Sequence, residues 1–331
     1  MRLKLALHCA FYIVFIAINY AMMLFFPTSV SAEKILKIGA SAIVEHPSLE
    51  AIRDGAQEAL KEEGFIEGRN LQFTYATAQN KQATAIQIIN KYIGDNVDLL
   101  LTIGTASSQA AHNSTQTIPI IFSSVSSPMQ SGLLKNPQQP EANITGICDM
   151  PPVAEHIKLM KEMLPQVKTV GYLYNPSEVN SVAVLEILKK EALKANITIL
   201  PSPAIQTAQV RNATLALVGK VDMIYITLDN TVAAALETAL MVANENKIPF
   251  MASDRESTIR GALISYGTDY FNVGKQTGKM IARILRGQKI KDTPMEYAKP
   301  TLLMINEKTA QTIGYQFPES ILKRATKCPQ K

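Results

Sequence analysis

The chain of 331 residues has no tryptophan, three cysteines and four histidines, and each scarcity removes a class of protein. Three cysteines cannot staple a disulfide scaffold, and the histidines stand too far apart to complete a zinc site with them. Only 16 glycines and 17 prolines are present, so neither a collagenous nor a low-complexity chain is at hand. Charged residues make up 18% against 47% hydrophobic, which excludes disorder as the main state. The 33 basic and 28 acidic residues leave a net charge of +5, too weak a balance to argue for a nucleic-acid partner. The motifs G-x-S-x-G, H-E-x-x-H and C-x-x-C are also missing. Gly274-Lys275-Gln276-Thr277-Gly278-Lys279-Met280 superficially imitates a phosphate loop, but its spacing is one short and Met280 replaces the hydroxyl. It reads more simply as the start of a helix. No catalytic residue, metal or cofactor is expected.

What is present begins with a separable leader. Arg2 and Lys4 precede an apolar stretch over residues 5–26, Pro27 breaks it, and Val30-Ser31-Ala32 follows. A positive start, an apolar middle and a small-residue exit describe a secretory signal peptide, cut after Ala32. If it is retained, the apolar run is long enough to anchor the protein in a membrane. The expected location is therefore the periplasm, or the cell surface if the leader stays. Cys148 and Cys328 remain after export, either bridged or as two unpaired small hydrophobes.

Beyond the leader, β-rich runs alternate with helical patterns. Strands are expected at residues 35–40, 71–76, 97–103, 118–123, 169–174, 197–200, 221–227, 248–252 and 262–266. Helical spacing covers residues 49–63, 83–93, 153–163, 179–195, 231–246 and 273–285. Apolar strands separated by helices predict an α/β fold with parallel sheets covered on both faces. A weak repeat groups them. Val97-Asp98-Leu99-Leu100 leads to Ile118-Pro119, and Val221-Asp222-Met223-Ile224 leads in the same way to Ile248-Pro249. Two similar doubly wound lobes follow, the first over 33–150 plus 270–300 and the second over 151–269 plus 301–325. The crossings between them are expected at 143–152, 266–272 and 302–305. Ligands of open parallel sheets bind beyond the carboxyl ends of the strands. That rule selects loops 41–47, 76–80, 104–108 and 123–129, with 174–181, 228–231, 253–256 and 267–270 opposite. They are rich in Ser, Thr, Asn and carboxylates, which suits a small polar or zwitterionic ligand.

Ile43-Val44-Glu45-His46-Pro47 followed by Arg53-Asp54-Gly55 resembles the opening of the substrate-binding proteins of ABC transporters, in the group associated with aromatic amino acid uptake. The likeness continues through Thr105-Ala106-Ser107-Ser108-Gln109, Ile118-Pro119-Ile120-Ile121-Phe122-Ser123 and Leu173-Tyr174-Asn175-Pro176. It extends over Asp229-Asn230-Thr231-Val232, Ala252-Ser253-Asp254 and Gly274-Lys275-Gln276-Thr277-Gly278-Lys279, covering nearly all of the exported chain. One departure stands out: after Val125, where such proteins tend to read Thr-Asp-Pro, this chain has Ser126-Ser127-Pro128. The resemblance implies a type I periplasmic-binding fold, a monomer that binds Trp, Tyr or Phe by hinge closure, and an ABC permease as partner.

The groups such a ligand needs can be sought in the cleft loops. Thr105, Ala106 and Ser107 open a helix whose free N–H groups suit a carboxylate, and Asn230-Thr231 offers a second such start. Asp254, with Asp229 or Glu178 as alternatives, is the expected acceptor for an ammonium group. Glu45, His46, Ser124, Asn175, Asn180 and Ser181 complete the candidate list, and Tyr174, Tyr266 or Phe122 would meet the side chain. For each hydroxyl or amide residue the competing role is helix capping or turn formation. A ligand sensor of the same fold, an extracellular enzyme and a DNA-binding repressor are the alternative functions; the leader in place of a helix-turn-helix argues against the last.

Overall fold

A computed structural model describes residues 34–140, 143–299 and 301–329, so the leader and its exit site lie outside the described residues. The chain builds β1 (Leu36–Ala42), α1 (Pro47–Glu62), β2 (Leu71–Thr77), α2 (Gln82–Gly94), β3 (Leu99–Ile103), α3 (Thr105–Ser114), β4 (Ile120–Ser123) and β5 (Ile144–Cys148). It then forms α4 (Val153–Met163), β6 (Thr169–Tyr174), α5 (Val179–Lys194), β7 (Thr198–Pro203), α6 (Val210–Leu215) and β8 (Met223–Tyr225). After these come α7 (Asn230–Ala234), α8 (Leu236–Glu245), β9 (Phe250–Asp254), α9 (Arg255–Ile259) and β10 (Ile264–Thr268). The last elements are α10 (Tyr270–Leu285), β11 (Glu296–Tyr297), β12 (Thr301–Ile305), α11 (Glu307–Ile313), α12 (Glu319–Leu322) and β13 (Thr326–Lys327).

Two sheets result, ordered β11-β5-β4-β3-β1-β2 and β13-β12-β10-β9-β8-β6-β7. Within them β2-β1-β3-β4-β5 and β7-β6-β8-β9-β10 share one plan, the physical content of the repeat read in the sequence. Among the described residues every neighbour pair in the first sheet is parallel, and in the second only β10 and β12 run antiparallel. The order turns back on itself between β1 and β3, and between β6 and β8. These are the points where loops diverge and leave a crevice. Separate apolar cores fill the two faces of each sheet, as near-continuous buried strands require.

Three expectations need correction. Residues 143–148 do not cross between lobes: Ile144–Cys148 is a buried fifth strand whose Gly146 lies against the Phe122 ring, and the crossing starts only at Asp149. Residues 302–305 are likewise a strand, paired antiparallel with β10, and the third crossing lies between Tyr297 and Thr301. The helix expected over 231–246 breaks at Ala235 (φ −120°, ψ 26°), because its first turn is drawn onto a carboxylate of the preceding lobe segment.

Helix α10 returns to the first lobe and packs on α1. Its buried face carries Tyr270, Val273, Gly274, Thr277, Gly278 and Ile281, spaced as one helical stripe. The glycines are there for contact. A Cβ on Gly274 would stand 2.2 Å from the Ile52 carbonyl oxygen, and one on Gly278 would stand 2.5 Å from that of Ala56. From the opposite side, a Cβ on Gly55 would meet the Phe271 oxygen at 2.1 Å. The phosphate-loop lookalike is thus a helix-packing seam. Gly274→Ala forces these backbones apart and is expected to destabilise the protein by about 1–3 kcal/mol, as overpacking does. Thermal unfolding followed by circular dichroism checks this, and an unchanged Tm would refute the seam.

Candidate functional site

On the first-lobe side, Gly104 (φ 86°) turns the chain from β3 straight into α3. Thr102 and Ser108 satisfy each other at 2.9 Å, and Ser108 Oγ also donates to the Gly104 carbonyl. Thr105 and Ser107 are different. Both are buried, yet Thr105 Oγ1 and Ser107 Oγ have no hydrogen-bond partner. Ala106 is half-buried between them. Ser41, near the carboxyl end of β1, has a buried and unpartnered Oγ as well. His46 precedes α1 with only 4% of its surface exposed. Its Nε2 lies 3.5 Å from Asn230 Oδ1 of the second lobe and its Nδ1 has no partner. Burial pushes its pKa down to about 4, so the ring is neutral. Glu45 is exposed and stands apart from this buried set.

Ser124, in the left-handed region at φ 57°, donates to Asp149 Oδ2 at 2.5 Å. Ser126 Oγ and Tyr270 Oη also donate to Asp149, at 2.9 and 3.0 Å. This buried carboxylate therefore ties two of the crossings to a first-lobe loop. Burial raises its pKa, and its three donors oppose that rise. Ser127 is buried with no partner for Oγ.

Around Asp229 and Glu178 the second lobe meets its polar needs internally. Asp229 caps α7 through Val232 N at 2.9 Å and also accepts from Asn175 N at 2.5 Å and Ser181 Oγ at 2.6 Å. Burial and then the nearby Glu178 charge push its pKa up to about 7. Glu178 accepts from Asn230 N (3.0 Å) and Nδ2 (2.7 Å) through Oε2, and from Thr231 N (3.0 Å) and Oγ1 (2.9 Å) through Oε1. The helix start at Asn230-Thr231 is therefore already occupied by a carboxylate from its own lobe, and the expectation of a second anion site there is corrected. Asn175 is a turn former that holds Ser177 N through its Oδ1 and Thr231 Oγ1 through its Nδ2. Asn180 Nδ2 donates to the Leu228 carbonyl.

Asp254 caps α9, accepting from Ser257 N at 2.9 Å and Ser257 Oγ at 2.6 Å. It also reaches the other lobe, accepting from Ser48 Oγ at 3.2 Å. The expected ammonium acceptor is thus engaged as a cap and an interlobe latch. Two residues on, Glu256 is 7% exposed, and its Oε2 has no partner. Burial and then the charge of Asp254 push its pKa up to about 8. Sequence reading missed it as a site residue, although it lies in a loop the strand-end rule selects.

The aromatic candidates are placed in three different surroundings. Phe122 is wholly buried in the first-lobe core, and Tyr174 stacks on Tyr172 at 5.9 Å. Tyr266 lines a groove with Leu159, Leu302, Leu303 and Arg324. Its carbonyl accepts from the buried His156, whose other nitrogen is 2.5 Å from Tyr225 Oη. Cys148 and Cys328 are both free. Among the described residues no helix is long and apolar enough to cross a membrane, and no cluster of His, Cys, Asp and Glu is set to hold a metal.

Two doubly wound lobes, three crossings and unpartnered polar groups along the strand ends define the architecture of a two-lobed binding protein. The chain belongs to the ABC transporter substrate binding protein family, whose model matches residues 37–328. It is 35% identical over 285 residues to a tyrosine-binding protein of Clostridioides difficile, covering 86% of this chain and 83% of that one. It is similar to an ABC domain in complex with L-Trp from Streptococcus pneumonia (TM-score 0.85, 31% identity, 89% of this chain and 100% of that one). It is also similar to the ligand-free, open structure of a substrate binding protein with adhesive properties from Clostridium difficile (TM-score 0.69, 35% identity, 90% of this chain and 100% of that one).

The Glu178 network generates a prediction of its own. Glu178→Gln turns an NH2 toward two donors and loses charge-assisted bonds worth about 1.5–3 kcal/mol each. The variant should unfold at lower temperature, and an unaltered Tm would show that Glu178 does not hold α7.

Proposed function

We propose that this protein is the extracytoplasmic binding component of an ABC importer, which encloses an aromatic amino acid, Trp, Tyr or Phe, and presents it to a membrane permease. The observation that carries this reading is the set of buried, unpartnered side-chain groups at the strand ends of the first lobe: Ser41 Oγ, His46 Nδ1, Thr105 Oγ1 and Ser107 Oγ. Buried polar atoms are nearly always paired, so a concentration of orphans at one cleft edge points to a polar ligand as their partner. A ligand carboxylate seated at the start of α3 would take the Thr105 and Ser107 hydroxyls together with N–H groups of the first turn, where the helix dipole favours an anion.

The amino acid class is supported by the two similar proteins whose names give tyrosine and L-Trp. Closure is supported by hydrogen bonds that span the lobes: Ser48 to Asp254, His46 with Asn230, and Asn80 Nδ2 to Thr231 Oγ1 at 3.4 Å. It is supported too by the better superposition on the L-Trp complex than on the open, ligand-free structure, although the latter is the more similar in sequence. The role is binding without chemical turnover. Export through the leader over residues 1–32, with Glu33 as the mature N-terminus, and a monomeric state belong to the same proposal.

Calorimetry tests it. Trp, Tyr or Phe should bind saturably, and small aliphatic amino acids poorly. Thr105→Val removes the hydroxyl at nearly constant shape and should weaken binding by roughly tenfold, the equivalent of one hydrogen bond of about 1.4 kcal/mol. Wild-type affinity in the variant would remove Thr105 from the site.

A further inference from the structure

The first lobe offers donors and a helix start, which answer only the anionic half of an amino acid. Its cationic half needs an acceptor, and the second-lobe acids differ in how far they are already used. Asp229 holds fixed donors from α7, Asn175 and Ser181, and Glu178 takes four from Asn230 and Thr231. Asp254 is engaged by Ser257 and Ser48. Glu256 is the exception. Its Oε1 meets Arg255 Nη1 at 3.5 Å, and its Oε2 is buried with no hydrogen-bond partner. It lies two residues after Asp254, whose bond to Ser48 fixes this end of α9 against the first lobe. We propose that Glu256 is the residue that recognises the ligand's ammonium group, and that the ligand displaces a proton from it on binding. This deepens the aromatic amino acid reading and rests on it.

The charged and titratable groups facing Glu256 come from each element packed around it. Asp254 at the end of β9 and Asp269 just before α10 are acids, and Tyr270 of α10 is neutral. Arg255 on its own helix is the one base among those that act on it, and Arg255 also lies 3.9 Å from Asp269. Burial and like charge therefore favour the protonated carboxyl, and its pKa of about 8 follows from them. An ammonium group placed beside Oε2 reverses that preference by stabilising the carboxylate. The sign is then fixed. At neutral pH the empty site holds the proton, the occupied site releases it, and affinity rises with pH until the pH passes about 8.

The same contact sets specificity. A site built to pair a charged amine rejects the analogue lacking it, because its acceptor is left buried and unpaired. The wild type should therefore prefer L-Trp or L-Phe over indole-3-lactate or phenyllactate by roughly tenfold or more, as loss of one charge-assisted hydrogen bond predicts. Calorimetry at pH 7 in phosphate and in Tris, whose ionisation heats differ, should show proton release when the amino acid binds. Glu256→Gln should cut the amine preference to a few-fold and abolish the buffer dependence. The inference is overturned if Glu256→Gln keeps both the preference and the proton release, or if the wild type binds the amino acid without either. The buffer comparison on the wild type decides the proton claim even if the variant fails to fold. Failure of Trp, Tyr and Phe all to bind the wild type would instead overturn the aromatic amino acid reading, and the ammonium assignment with it.

Discussion

A hydroxyl or carboxyl that leaves water when a protein folds must find another partner, and the two walls of this cleft meet that requirement in opposite ways. In the second lobe Asp229, Glu178, Asn175, Asn180 and Ser181 bind to one another or to nearby backbone, and among the cleft-loop acids only Glu256 keeps a buried oxygen unpaired. In the first lobe Ser41, His46, Thr105 and Ser107 are buried with bonding capacity unspent. A self-satisfied wall can act as a rigid platform. An unsatisfied one gains most when a ligand fills its needs, and that asymmetry gives closure a reason to depend on ligand.

Among the described residues the hydrogen bonds that cross directly between the lobes are few. They measure 3.2 Å from Ser48 to Asp254, 3.4 Å from Asn80 to Thr231 and 3.5 Å between His46 and Asn230. Each replaces a bond to water in an open form, so its net worth is about 0.5–1.5 kcal/mol. Such a latch biases the hinge without locking it. A ligand that touches both walls supplies the differential affinity that population shift requires. Asp149 stands at the pivot, where Ser124, Ser126 and Tyr270 converge on one carboxylate and keep two crossings in register with the first lobe.

Much of the fold was legible because parallel, doubly covered strands write themselves as apolar runs. The pairing of Val97-Asp98 with Val221-Asp222 reflects equivalent strands: Asp98 receives Lys37 N at 2.9 Å, and Asp222 receives Lys168 N at 2.8 Å. The strand Ile144–Cys148 reads in sequence as a crossing because it runs straight into Pro151-Pro152, and only its burial separates the two roles. The candidate loops were found by topology, but which of their groups are free was not legible. Asp254 and Glu256 look equivalent on the page; one is a cap bound by Ser257, and the other has a bare buried oxygen. Tyr266 lines a groove with Leu159 and Leu303 because alternation along a strand sends neighbouring side chains to opposite faces, and the sequence does not say which face is which.

The central claim is that a ligand bridging the unsatisfied wall and the satisfied one draws the lobes together. Small-angle X-ray scattering of the exported protein, with and without saturating L-Trp, measures that directly. The account predicts a smaller radius of gyration and a shorter maximum dimension when L-Trp is bound. Bound L-Trp, verified in the same sample by calorimetry, with a scattering curve unchanged from that of the free protein, would contradict it.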